Sequence, residues 1–413
     1  MTVYETDEII ERVILVGVAF DTDDDTERSL DELGELAKTA GAQTVGRMIQ
    51  TRDKPHPATY IGKGKIEELR LMIDELDATG IICDDELSPA QFKNLEDELG
   101  VKVMDRTMVI LDIFAARATS SEGKIQVEMA QLKYRSIRLA GFGTSMSRLG
   151  GGIGTRGPGE KKIETDRRLI RDRISKLSVD LKDMKEHRDV QRSKRAKTST
   201  PVAAIVGYTN AGKSTLLNKL TDAGVLSENK LFATLDPTTR SMELPNGEKV
   251  LLTDTVGFIR KLPHNLIEAF KSTLEEAKYA DIIVHVVDVS NPNYEQQMST
   301  VYATLKQLGV EGKPVVTLFN KCDVLPEKPA AKDLHADYTY NISAVRGNGL
   351  EAFKECLQEI ILKSRIRIER VFPYSEAGKI QLIRQFGQLE SEEYTEDGIK
   401  VLAYVPKEIE GKL

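Results

Sequence analysis

The tightest constraint on this chain is the octapeptide Gly207-Tyr208-Thr209-Asn210-Ala211-Gly212-Lys213-Ser214. It follows the apolar run Val202 to Val206 and precedes the helix-patterned stretch Thr215 to Leu220. A G-x-x-x-x-G-K-[ST] pattern between a strand and a helix is a phosphate-binding loop. Its glycines let backbone N–H groups turn inward on phosphates, Lys213 adds a point charge, and the Ser214 hydroxyl is suited to Mg²⁺. Such a unit commits its surroundings to an α/β domain with a mostly parallel sheet.

Three further motifs follow in order. Asp254-Thr255-Val256-Gly257 closes the apolar stretch Lys249 to Thr253, which puts Asp254 at a strand's C-terminal edge near the metal and leaves the Gly257 N–H for the terminal phosphate. Asn320-Lys321-Cys322-Asp323 closes the run Pro314 to Phe319, at the edge where open α/β sheets place their ligands. Ser343-Ala344-Val345 follows the strand-like Tyr338 to Ile342 and would bring backbone N–H to a base oxygen. A carboxylate such as Asp323 accepts from both N1–H and the exocyclic amine of guanine. Adenine offers neither donor there, so a buried Asp323 would discriminate strongly. The set reads as a site for GTP and GDP, with Lys213 and Gly257 nearest the chemistry. In Ras-like sites the residue after D-x-x-G is a Gln that orients water. Phe258 stands in that place, so positioning by the loop and Mg²⁺ must carry a slow hydrolysis that a partner raises.

Composition excludes other classes. No run of about 18 apolar residues occurs, and Met1 to Ile10 is too acidic for a signal peptide. Cys83, Cys322 and Cys356 are far apart with no C-x-x-C pair, which argues against a disulfide framework or a zinc site. The expectation is a monomeric cytoplasmic protein. Its net charge of -7 hides an asymmetry, since residues 119–198 carry 20 Lys and Arg against 10 Asp and Glu. One basic arm on an acidic protein is a candidate for local binding to nucleic acid.

Four domains are expected. Residues 1–118 alternate strand and helix patterns and read as a smaller parallel α/β domain. Within it Gly62-Lys63-Gly64-Lys65 lacks the phosphate-loop spacing and reads as a basic turn at a helix start. Residues 119–198 read as an antiparallel helical hairpin. Its second arm has a heptad seam of Ile163, Ile170, Leu177 and Met184 with Ile174 and Leu181 between, and its first arm runs from Glu122 to Leu139. The tip, Gly141 to Gly159, holds 8 glycines with Arg148 and Arg156 among them, and either inserts into folded RNA or serves as a flexible linker. Gln191 to Thr200 reads as an exposed linker into the nucleotide domain, 199–365. Residues 366–413 read as a small α+β module with strands Ile366 to Val371, Glu392 to Thr395 and Ile399 to Val405, helix Ala377 to Phe386 and a turn at Asp397-Gly398.

The nucleotide motifs, the segment Leu231-Phe232-Ala233-Thr234-Leu235-Asp236-Pro237-Thr238 and the stretch Gly150-Gly151-Gly152-Ile153-Gly154-Thr155-Arg156-Gly157-Pro158-Gly159-Glu160 resemble the HflX family of GTPases, related to the Obg group. Tyr60-Ile61-Gly62-Lys63-Gly64-Lys65 and Asp84-Asp85-Glu86-Leu87-Ser88-Pro89-Ala90-Gln91 are similar to it too. The likeness runs from about residue 10 to 370, and the tail is similar to a domain found in some members only. It implies a factor that binds the large ribosomal subunit and its RNA and, in some members, splits stalled or idle ribosomes under stress. It also implies that Phe232 to Asp236 form a switch segment beside the nucleotide, with Thr234 completing the Mg²⁺ shell begun by Ser214, and that Arg148 and Arg156 at the tip meet RNA. The competing function is a GTP-regulated binding module for proteins or other RNA, with the hairpin as a spacer.

Overall fold

The computed structural model describes residues 10–20, 25–146, 158–196, 200–221, 231–232, 235–262, 275–327, 330–411 and 413. These divide into two compact units. The first comprises residues up to 184 together with the segments 228–236 and 259–272, and the second comprises the rest.

In the first unit, β1 (Arg12–Ala19), β2 (Gln43–Thr51), β3 (Gly80–Cys83) and β4 (Lys102–Asp105) form a wholly parallel sheet of order β2-β1-β3-β4. β1 is buried almost throughout, as a central parallel strand covered on both faces must be. The helices between strands are α1 (Thr26–Thr39), α2 (Lys63–Glu75) and α3 (Pro89–Leu99). α1 buries Leu30, Leu33, Leu36 and Ala37, one apolar stripe at helical spacing. α3 starts at a capping box between Ser88 and Gln91 with Pro89 at its first position, and it stops at left-handed Gly100. α2 begins directly after Gly62, so Gly62-Lys63-Gly64-Lys65 is a helix start.

An element beyond the expected ones is α4 (Arg106–Arg117), which Asp105 caps by accepting from the Met108 amide. Its run Met-Val-Ile-Leu-Asp-Ile-Phe is apolar nearly all round, so its periodicity is weak, and the helix is correspondingly buried. α5 (Ser121–Met146) and α6 (Pro158–Ala196) are the hairpin arms. Arg173 forks onto Glu128 at 2.7 and 3.0 Å and Arg167 donates to the Leu139 carbonyl at 2.8 Å, pairings that run in opposite directions along the two arms. On α6 Leu177 is buried, while Ile170, Ile174, Leu181 and Met184 are half-buried, as the seam requires. Two expectations are corrected. The helices run on to Met146 and resume at Pro158, so the glycine-rich tip is shorter than Gly141 to Gly159; and α6 continues to Ala196, through most of the expected linker. Arg148 and Arg156 lie outside the described residues.

The second unit holds a six-stranded sheet of order β10-β9-β8-β5-β7-β6. Its strands are β5 (Val202–Gly207), β6 (Thr238–Glu243), β7 (Lys249–Asp254), β8 (Ile282–Asp288), β9 (Val315–Asn320) and β10 (Tyr338–Asn341), and β6 alone is antiparallel to its neighbour. Helices α7 (Lys213–Thr221), α8 (Tyr294–Gln307) and α9 (Leu350–Lys363) accompany it. A separate antiparallel sheet, β11 (Ile366–Phe372), β13 (Gly398–Val405) and β12 (Gln388–Thr395), packs Ile368, Phe372, Val401 and Ala403 with Ile380 and Ile383 of α10 (Ala377–Phe386), and α11 (Lys407–Glu410) follows. Thr395 pairs with Gly398, so the turn is Glu396-Asp397, one residue earlier than expected. Gly398 itself begins the strand at φ +144°, where a Cβ would collide with the Phe372 carbonyl.

Within the second unit a polar cluster is sealed in the core. Asp333 accepts from the Thr317 and Tyr302 hydroxyls at 2.6 Å each and from the His335 amide at 2.9 Å. The His285 Nδ1 lies 3.8 Å from it. Burial holds the His285 imidazole neutral, lowering its pKa from 6.5 against the pull of Asp333. Burial alone would raise the Asp333 carboxyl, but His285, Thr317 and Tyr302 hold it below its ordinary 3.8. Both shifts act on the acid side. The unfolded chain takes up the His285 proton first, so stability is full above about pH 6.5 and declines below it; the Asp333 contribution is present above about 3.8 and is lost further down. Thermal melts should therefore show the second unit losing stability from pH 7 to 5, and His285→Asn should flatten that part of the profile.

Candidate functional site

The phosphate loop is built by strand β5 ending in a backbone that only certain residues tolerate. Gly207 and Gly212 stand at φ +153° and +95°, where a Cβ would run into the Val286 carbonyl and the Asn320 side-chain amide. Asn210 between them is also left-handed. The loop is latched to the end of β7's extension, for the Thr209 amide donates to the Phe258 carbonyl at 2.8 Å and the Phe258 amide to the Gly207 carbonyl at 3.1 Å. α7 then starts at Lys213, which points the positive end of a helix at the loop.

Lys213 is buried and donates to the Tyr208 carbonyl at 2.8 Å. Burial pushes its ammonium down to about 8, although the Asp254 carboxylate pulls the other way. A phosphate placed in the loop supplies the anion that this buried cation lacks. The Ser214 hydroxyl donates to Asp254 Oδ2 at 2.8 Å, bringing two hard oxygen atoms together at the tip of β7. The backbone of Gly257 abuts the Lys213 ammonium so closely that a Cβ there would lie 2.9 Å from Nζ. Thr255 turns away and donates its hydroxyl to the Ile205 carbonyl at 2.8 Å, and Val256 is buried, so the first acts on the sheet and the second on the core.

The base end is organised by Asn320. Its Nδ2 donates to the Ala211 carbonyl and its Oδ1 accepts from the Ala344 amide, each at 2.9 Å, so one side chain at the end of β9 joins the phosphate loop to the loop after β10. Cys322 directs its thiol to the Phe319 carbonyl. Asp323 departs from expectation, since its carboxylate is only partly covered and lies 3.3 Å from Arg346 Nε. The Ser343 hydroxyl and Arg346 hold it below the ordinary carboxylate range. Ala344 is buried, and Val345 is exposed at the rim.

The structure thus brings together 207–215, 254–257, 320–323 and 343–345. The expected switch segment is represented among the described residues by Phe232, Leu235 and Asp236. Those residues belong to the first unit, where Phe232 packs edge-on against Phe114 at 4.6 Å and Leu235 is buried. Asp236 accepts from the amides of Thr119 and Ser120 at 3.0 and 2.7 Å and from both their hydroxyls. Ala233 and Thr234 lie outside the described residues. In the same unit Arg260 pairs with Asp25 at 2.5 Å, and Lys261 pairs with Asp85 at 2.7 Å and with the buried Asp84. In the second unit Lys321 pairs with Asp288, the last residue of β8, at 2.6 Å.

Three family models match the chain in succession, described as GTP-binding GTPase N-terminal over residues 27–115, GTP-binding GTPase middle region over 117–195 and 50S ribosome-binding GTPase over 202–321. A GTPase HflX of Lacrimispora saccharolytica is 63% identical over 405 residues, covering 98% of this chain and 96% of that protein. The chain belongs to the HflX family of GTPases. The Escherichia coli GTPase HflX is 38% identical over 391 residues, 94% of this chain and 92% of its own. Among solved structures, a GTP-binding protein from Sulfolobus solfataricus in complex with GDP is 25% identical, covers 85% of this chain and 99% of that chain, and has a TM-score of 0.45. As an HflX GTPase this chain binds and hydrolyses GTP.

Phe258, which takes the place of the Ras-like Gln, has a buried ring. Phe258→Ala should cost about 3–5 kcal/mol of stability in urea melts, with loss of nucleotide affinity through the loosened latch, and Phe258→Leu should recover most of both.

Proposed function

We propose that this HflX GTPase acts on the large ribosomal subunit, binding its RNA in the GTP state and separating stalled or idle ribosomes, with hydrolysis resetting the cycle. The observation that carries the reading is the hairpin, two long helices locked by a seam and by Arg173 and Glu128, in a region with 20 cations against 10 anions. The family model described as 50S ribosome-binding GTPase, matched over 202–321, supports it. A stiff basic arm suits insertion among phosphates, and Arg148 and Arg156 are our candidates for contact at its tip. No helix among the described residues is long and apolar enough to cross a membrane, and we place the protein in the cytoplasm as a monomer.

Mg²⁺ is the cofactor of this reading. Among the described residues no group of three His, Cys, Asp or Glu side chains could hold a metal by itself. The Ser214 hydroxyl beside the buried Asp254 fits an ion that takes most of its other ligands from phosphate and water. Thr234 would add a further oxygen. The ion would spread the charge that develops on the phosphates, while the chain's own part is to hold them with Lys213 and the backbone N–H groups of the loop and of Gly257. No side chain at position 258 can orient water by hydrogen bonding, so intrinsic hydrolysis is slow and the ribosome raises it.

Two measurements check the reading. Asp323→Asn should sharply weaken GTP binding and favour xanthosine triphosphate, whose 2-oxo group faces the new amide; equal affinity of the parent protein for GTP and ATP would refute the base assignment. Co-sedimentation with large subunits should require a non-hydrolysable GTP analogue. Replacing Arg148 and Arg156 with Ala should weaken it without lowering GTP affinity, and should flatten its log–log salt dependence by up to about two units. Unchanged sedimentation and slope would return the hairpin to a spacer.

A further inference from the structure

Lys321 stands in the left-handed region at φ +64°, between the end of β9 and the turn Cys322–Val324. That backbone conformation is uncommon for a lysine. The side chain is held as well, for Nζ donates to Asp288 Oδ2 at 2.6 Å. Asp288 is the last residue of β8 and pairs across the sheet with Asn320. Its other oxygen accepts from the Ser290 amide at 3.1 Å and the Ser290 hydroxyl at 2.5 Å. Both carboxylate oxygens are thus fixed before any ligand arrives. The order β10-β9-β8-β5 puts the tip of β8 between the guanine loops and the phosphate loop. The stem of Lys321 therefore runs from the guanine loop toward the phosphate loop, across the edge that a guanosine must cover.

We propose that Asp288 is a positioning residue for guanine recognition, clamping the Lys321 ammonium so that the lysine's hydrocarbon stem forms a preset apolar floor under the base. The proposal rests on the reading that Lys321 and Asp323 face guanine. A lysine buries its methylenes readily while its charged head stays with a polar partner. An untethered stem loses its rotamer freedom when the base closes on it, whereas a clamped one has lost it already. Asp288 touches Lys321 and Ser290 rather than the base, so it acts through the lysine alone. Releasing the clamp should speed nucleotide dissociation about fivefold to tenfold and leave association little changed.

Dissociation of a fluorescent N-methylanthraniloyl GDP from the full chain, followed by stopped flow beside thermal melts of the nucleotide-free protein, tests this. The expected result is faster dissociation in Asp288→Asn, an intermediate rate in Asp288→Glu, and an unchanged melting temperature. The double variant with Lys321→Met should dissociate no faster than Lys321→Met alone. Parent-like dissociation in Asp288→Asn while Lys321→Met is fast would overturn the clamp and leave the guanine reading standing, as would effects of the two that simply add. Parent-like dissociation in Lys321→Met would instead overturn the guanine reading and the clamp with it. Where Asp288→Asn lowers the melting temperature, Ser290→Ala, which removes one of the two donors to Asp288 Oδ1 and so loosens its aim at Lys321, decides the matter. Faster release supports the clamp, and an unchanged rate overturns it.

Discussion

The phosphate loop and the loops that follow β9 and β10 are held together by the two hydrogen bonds of Asn320. The phosphate loop hangs from β5 and the guanine loops from β9 and β10, with β8 between β9 and β5, so the sheet alone does not set their spacing. Asn320 does, because its amide spans the Ala211 carbonyl and the Ala344 amide. It is 2% exposed, and losing it would leave two buried backbone groups without partners, at about 1–3 kcal/mol each. The requirement for glycine at 212 has the same origin, since any side chain there would occupy the space of the Asn320 amide.

The first unit shows how a buried charge is made tolerable. Arg106 is 2% exposed, yet it reaches Asp84 and Glu32 at 2.7 Å and the Ser29 carbonyl and hydroxyl at 2.8 and 3.0 Å. Burial would raise the Asp84 carboxyl, but Arg106 and Lys261 keep it below its usual range. Replacing either Asp84 or Arg106 would leave the other with one counter-charge fewer in a dry interior, Asp84 with Lys261 and Arg106 with Glu32, a larger penalty than the pair's net worth. Lys261, in the segment 259–272 that belongs to the first unit, joins the same network.

Much of this was legible because the chemistry is local. The strand before Gly207, the helix after it and the ends of β7 and β9 are written in contiguous residues, and α10 was readable to the residue because its apolar period is clean. α4 was not, because a helix buried on most sides loses its period. The placement of Phe232 and Asp236 was illegible for a different reason. Their partners, Phe114, Thr119 and Ser120, lie more than a hundred positions away, and nothing in a Phe-Ala-Thr-Leu-Asp string says which domain it will join. The partner of Asp323 was likewise hidden, because an Arg three residues beyond Ser343 carries no motif.

The seat of Asp236 ties two distant stretches of backbone into one accounting. The amides of Thr119 and Ser120, just ahead of α5, have that carboxylate as their acceptor, across 117 and 116 positions of sequence. Whatever withdraws residue 236 must hand those N–H groups to water. Their hydrogen–deuterium exchange therefore reports on a segment they do not belong to, and slow exchange at the root of the hairpin is the sign that the chain beyond the phosphate loop is still at rest.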